Sequence, residues 1–216
     1  LATQNDDPLT AAAVWSDTYF LPVGVDVVVA YVMAILGSSG YAVLGAFGAS
    51  AFVVAACGWF TLAQVVRHEQ GWSWPAVVAL FAVVNPLFAL MYAESYMAQL
   101  WGCALWPFMI AAAIHALRQP TWRSLLLAAV ALAATVSIYP GNLPWVGLGL
   151  VAAGLMAMRH RQVDQTLGVA VALGRTGVAA AGMLALAALL APLQVMRTID
   201  FTRFAQGIGD APPLRA

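Results

Sequence analysis

Lysine is missing from this chain altogether, so its nine basic side chains are all arginines. Arginine without lysine, together with heavy use of Ala, Val, Gly and Leu, points to a GC-rich bacterial genome as the source. Charge of either sign is scarce. Charged residues make up 8% of the chain and hydrophobic ones 63%, against roughly 25% and 45–50% in soluble globular domains. A soluble domain of this composition would have to leave much of that apolar surface in water, so a membrane is the expected solvent. Cysteine occurs only as Cys57 and Cys103, each alone in an apolar run with no paired spacing. Both read as small buried hydrophobes. There is no glycine loop that would cradle phosphate, no Ser-His-Asp arrangement that the topology allows, and no basic aromatic stretch for nucleic acid.

What is present is a series of apolar runs. A membrane-spanning helix needs about 20 apolar residues, with a range of ~17–25. Six segments come close: 41–66, 75–91, 98–117, 124–138, 144–158 and 176–196. The expected fold is therefore all-α, a polytopic integral membrane bundle of about six transmembrane helices. Residues 24–36 form a shorter run before the Gly37-Ser38-Ser39-Gly40 break, and they read as an interfacial or re-entrant helix. The domain order that follows is an external acidic loop with a short juxtamembrane helix (1–40), the bundle (41–196), and an external polar tail (197–216) leading to a further region. The chain opens on Leu1 in a polar stretch and shows no basic region followed by an apolar run, the mark of a signal peptide. It reads as an internal piece of a longer polytopic protein.

The charges sort by side. Arg67, Arg118, Arg123, Arg159, Arg161 and Arg175 fall on one side of the stack, and so do His68, His115 and His160. Asp6, Asp7, Asp17, Asp26, Glu94, Asp200 and Asp210 fall on the other, leaving Glu69 and Asp164 with the arginines. The positive-inside rule makes the arginine side cytoplasmic and the acidic side external. The expected location is the bacterial cytoplasmic membrane, with both ends of the chain outside. Trp15, Tyr19, Trp72, Trp74, Tyr92, Tyr96, Trp122, Tyr139 and Trp145 lie near the ends of the runs, where amphipathic rings anchor at the headgroups. Asn85-Pro86 falls inside the second run. The proline removes a backbone bond and kinks the helix, while Asn85 reads as a donor to a neighbouring helix. Gly45 with Gly48, and Gly168 with Gly174, offer small-residue faces for close packing.

The residues that can carry chemistry are on the acidic side. Asp6 and Asp7, in Asn5-Asp6-Asp7-Pro8, can share a divalent cation or act as one base and one ligand, and oxygen ligands suit Mg²⁺ or Mn²⁺. The same four residues also make an ordinary solvated turn. Glu94, between Tyr92 and Tyr96, can position an acceptor or simply be solvated. Arg197 and Arg203 follow the last run on the acidic side, where a guanidinium can pair with a phosphate or meet lipid headgroups.

An acidic first loop, a short juxtamembrane helix (Pro22-Val23-Gly24-Val25-Asp26 to Leu36-Gly37), and then alternating spans with short basic loops resembles the GT-C superfamily of polytopic glycosyltransferases. The run from Asn85-Pro86 to Tyr92, then Glu94, Tyr96 and Gln99, and later Tyr139-Pro140-Gly141-Asn142, is similar to segments of bacterial GT-C-like membrane proteins. In many of those the last motif reads Tyr-Pro-Glu; here glycine and asparagine follow the proline. The resemblance implies a polyprenyl-phosphate-linked sugar as donor. It also implies Asp6 and Asp7 as catalytic or metal-binding residues, and a substrate site that draws on Tyr92, Glu94, Gln99, Tyr139, Asn142, Arg197 and Arg203. Two other classes compete with that expectation. One is an inactive structural or assembly subunit of an envelope complex. The other is a transporter, which the near absence of ionisable residues within the spans disfavours.

Overall fold

Each apolar run is helical as far as the computed structural model describes it, namely over residues 31–37, 40–67, 71–93, 97–139, 142–164 and 168–192. A short helical segment at 31–36 ends at Gly37, whose φ of 58° lies in the left-handed region that glycine enters without a steric penalty. The main elements follow as α1 (Gly40–Arg67), α2 (Ser73–Val83), α3 (Pro86–Ala93), α4 (Met97–Arg118), α5 (Trp122–Ile138), α6 (Leu143–Asp164) and α7 (Val169–Leu190). No strand occurs among the described residues.

Helix boundaries follow local chemistry. The Thr121 hydroxyl accepts from the Ser124 backbone N–H at 3.2 Å, and the Ser124 hydroxyl accepts from the Thr121 N–H at 3.0 Å. This reciprocal capping box starts α5 just after Pro120. Pro86 opens α3, a position where its missing N–H costs nothing. Asn85 caps that helix, its side-chain oxygen accepting from the Leu87 N–H at 3.0 Å. The expected kink at Asn85-Pro86 is present as a 42° bend between α2 and α3. Asn85 itself is exposed and serves the broken backbone, not a neighbouring helix.

α4 is the centre of the bundle. Met109, Ile114 and Leu117 are fully buried and pack with Ala128, Ala129 and Leu132 of α5, Val146, Ala153 and Ala157 of α6, and Ala179, Met183 and Ala187 of α7. On its other side, Leu100 and Ala104 meet Ala51 and Ala55 of α1 and Phe88 and Met91 of α3. The predominance of alanine lets the helices approach closely, the packing that membranes favour. Pro107 is buried within α4 and lies against Gly58 of α1, where a Cβ would come within 2.8 Å of the proline ring. Tyr92 lies against Gly48 in the same way, so Gly48 acts as the close-packing position foreseen for it. Gly168 and Gly174 do not: among the described residues nothing lies within 4 Å of a Cβ placed on either.

Outward faces are apolar as well. Leu148, Val151 and Leu155 form an exposed stripe on α6, and Val178 and Leu189 stand out on α7. Cys57 is also exposed, contrary to its expected burial, while Cys103 is half-buried.

Among the described residues, three helices are long and apolar enough to cross a membrane: Val43–Arg67, Met97–Arg118 and Val169–Leu190. The bent α2–α3 pair makes up to four, fewer than the expected six. α5 has only 17 residues, about 25 Å at 1.5 Å per residue, which is short of a hydrocarbon core of about 30 Å. α6 has 22 residues, but its last turns carry Arg159, His160, Arg161 and Asp164.

Candidate functional site

The helix order places α1, α4 and α6 with their C-termini at one end, and that end carries the six described arginines. Hydrogen bonds confirm that these termini meet. Arg118 donates from Nη1 to the Val65 carbonyl at 2.8 Å, and Arg161 donates from Nη2 to the Leu117 carbonyl at 2.7 Å. Arg67 lies over the Trp74 ring at 4.8 Å and Arg123 over the Trp122 ring at 5.5 Å, adding cation–π contacts at the same end.

The opposite end has a different chemistry. Gln99, in the first turn of α4, donates from Nε2 to the Tyr139 hydroxyl at 2.9 Å. Tyr139 closes α5 in an extended conformation, its N–H still bonded to the Thr135 carbonyl at 3.3 Å. Its own carbonyl then accepts from the Asn142 N–H at 3.0 Å, folding the connection to α6 back on itself. Asn142 is buried, and its amide nitrogen Nδ2 has no hydrogen-bond partner among the described residues. That amide lies against Gly102 of α4. A Cβ on Gly102 would clash with Asn142 Nδ2 and come within 2.9 Å of Tyr139 Cβ.

Three of the expected site residues, Gln99, Tyr139 and Asn142, are thus brought together around Gly102. Sequence reasoning missed Gly102; a glycine inside an otherwise bulky apolar helix was the available signal. Tyr92 sits apart on the face of α1. Its ring packs edge-on to Phe52 at a centroid distance of 5.8 Å, and its hydroxyl reaches the Gly45 carbonyl at 3.5 Å, the outer limit of a hydrogen bond. Met97 also reaches Gly48, so the Tyr92 contact lies one turn from Gln99 along the α1–α4 seam. Asp6, Asp7, Glu94, Arg197 and Arg203 lie outside the described residues. Among the described residues, no group of three or more His, Cys, Asp or Glu side chains assembles.

The cluster is neutral and mixed in hydrogen-bonding character. The Tyr139 oxygen accepts from Gln99, which leaves its O–H free to donate, and Asn142 offers two N–H bonds from one buried nitrogen. Such a set has the hydrogen-bonding character to meet a neutral group that both donates and accepts.

The described residues thus form an all-α bundle around α4 whose outward faces are apolar, with three helices, or four counting the bent pair, long and apolar enough to cross a bilayer. No protein-family model, curated protein or solved structure matches the chain.

Proposed function

We propose that this chain is part of a GT-C-like membrane glycosyltransferase that takes a sugar from a polyprenyl-phosphate donor at the end of the bundle away from the arginines. The observation that carries the reading is the buried, unpaired amide of Asn142 beside the Gln99–Tyr139 hydrogen bond. An unpaired buried donor costs about 1–3 kcal/mol, a cost that a ligand hydroxyl accepting from it would relieve. The proposed topology has six crossings, in which α5 and α6 borrow flanking residues, and the 24–36 segment lies at the interface. The arginine end faces the cytoplasm of a bacterial cell and the acidic end faces outward.

In the proposed reaction, a carboxylate of Asp6 or Asp7 accepts the proton of the acceptor hydroxyl. The acceptor oxygen bonds to the anomeric carbon as the bond from that carbon to the lipid-phosphate oxygen breaks. The electron pair leaves with the phosphate, which Arg197 or Arg203 would stabilise. The same two aspartates would hold a Mg²⁺ or Mn²⁺ if the transfer uses one. Gln99, Tyr139 and Asn142 bind and orient the sugar, with Tyr92 and Glu94 at the margin.

The test is transfer from a polyprenyl-phosphate sugar in membranes containing the full-length protein. Asp6→Asn and Asp7→Asn are expected to abolish transfer while insertion stays normal, and Asn142→Ala to weaken donor binding about tenfold, the factor that corresponds to 1.4 kcal/mol. Unchanged transfer in both aspartate variants would reject this site. Transfer absent from the wild type with every donor tried would favour an assembly subunit.

A further inference from the structure

Arg161 poses a separate problem at the other end of the bundle. It is only 2% exposed, yet one hydrogen bond, to the Leu117 carbonyl, is all it makes among the described residues. Its Nε and Nη1 are buried and have no partner there, leaving three N–H bonds unmet. A buried charge without a counter-charge is among the least favourable arrangements in a fold. Burial, and secondarily the like charge of Arg175, hold the Arg161 guanidinium below its ordinary pKa. Arg175, in the second turn of α7, is exposed.

The surroundings add donors. Thr176, the residue after Arg175, is buried on the inward face of α7, and its hydroxyl has no partner among the described residues. α7 begins at Gly168 without a side-chain cap, which leaves the positive end of its dipole about two turns before Thr176. A buried guanidinium, an exposed one, an orphan hydroxyl and an uncapped helix start therefore occupy the arginine-bearing end of α6 and α7. Their N–H and O–H groups outnumber the acceptors that the described residues offer them, and such donors suit a tetrahedral anion.

We propose that Arg161 and Arg175, where the end of α6 meets the end of α4 and the start of α7, hold one phosphate group. In a membrane its nearest source is the headgroup of an anionic phospholipid, since basic recesses between transmembrane helices take such headgroups. Free phosphate has the same chemistry. The site is independent of the sugar-transfer reading, because its residues lie at the opposite end of the bundle.

The test uses the full chain in nanodiscs and reads the midpoint of thermal unfolding. The lipid is phosphatidylcholine alone, phosphatidylcholine with added phosphatidylglycerol, or phosphatidylcholine with inorganic phosphate in the buffer. Phosphatidylglycerol is expected to raise the wild-type midpoint. Arg175→Gln, which leaves the Arg161–Leu117 bond in place, should lower the apparent affinity for it by about tenfold or more. Arg159→Gln, which removes an exposed arginine from the same end, should leave that affinity unchanged. An equal rise with inorganic phosphate would support the site with free phosphate as its source. Equal losses in the two variants would mean diffuse surface attraction and overturn the proposal. So would a wild type that responds to neither anion, and a response that appears only in Asp164→Asn would name that residue as the internal counter-charge.

Discussion

Gln99 and Tyr139, 40 residues apart in sequence, are joined by a 2.9 Å hydrogen bond between the first turn of α4 and the residue that caps the end of α5. The bond holds the connection between α5 and α6 over α4 and so sets where Asn142 falls. The site therefore depends on how closely that connection can approach α4, and Gly102 controls the approach.

Replacing Gly102 by alanine would place a Cβ against Asn142 Nδ2 and 2.9 Å from Tyr139 Cβ. Overpacking of this kind costs typically ~1–3 kcal/mol. The expected outcome is a lower unfolding midpoint in detergent micelles together with weaker donor binding. A neutral effect on both would mean that the connection moves freely away from α4.

A pair of glycines separates tight packing from mere small size. Gly48→Ala would bring a Cβ to 2.6 Å from Tyr92 Cε2, and destabilisation of about 1–3 kcal/mol is expected. Gly174→Ala meets nothing within 4 Å and removes a flexible residue from a helix interior, so a gain of roughly 0.5–1 kcal/mol is expected. Unfolding curves of the two variants, compared with wild type, read the opposite signs directly.

Thr121→Ala would remove the half of the α5 capping box in which the Thr121 hydroxyl accepts from the Ser124 N–H, while the backbone N–H of residue 121 could still donate to the Ser124 hydroxyl. Loss of an N-cap threonine costs about 0.5–2 kcal/mol. Hydrogen exchange should quicken in the first turn of α5 while the amides of α4 remain protected.

Orientation is tested by an impermeant thiol reagent applied from outside, after Cys57 and Cys103 have been replaced. Thr10→Cys should be labelled and Pro120→Cys spared. Labelling at position 120 in intact cells would reverse the proposed orientation.

The extent to which the sequence foretold this arrangement differs from feature to feature. The breaks at Gly37 and at Asn85-Pro86 were legible because backbone chemistry is local: a positive φ and a missing N–H act within a few residues. The alternation of arginine-bearing and arginine-free connections was legible because charge is so rare here. Apolar length read less well, since a run of hydrophobic letters does not say that α5 stops at 17 residues. Cys57 was misplaced for a related reason. In a bilayer the lipid-facing and protein-facing sides of a helix are both apolar, so hydrophobicity carries no sign of burial. The resemblance named Gln99, Tyr139 and Asn142 among seven residues, but neither the contact among these three nor its dependence on Gly102 was legible. That contact is set by the register of α4 against the α5–α6 connection, on which a helix with no polar face gives no periodic cue.

The two arginine bonds at the basic end bear on how the chain is made. Val65 of α1 receives its donor from Arg118 of α4, and Leu117 of α4 receives its donor from Arg161 of α6. The final carbonyls of a helix have no partner of their own, and a chain is synthesised from its N-terminus. Each fastening therefore comes from a segment that leaves the ribosome later than the helix it secures. The bundle is locked in the direction of translation, and a nascent chain halted before α6 would hold α4 with its end still open.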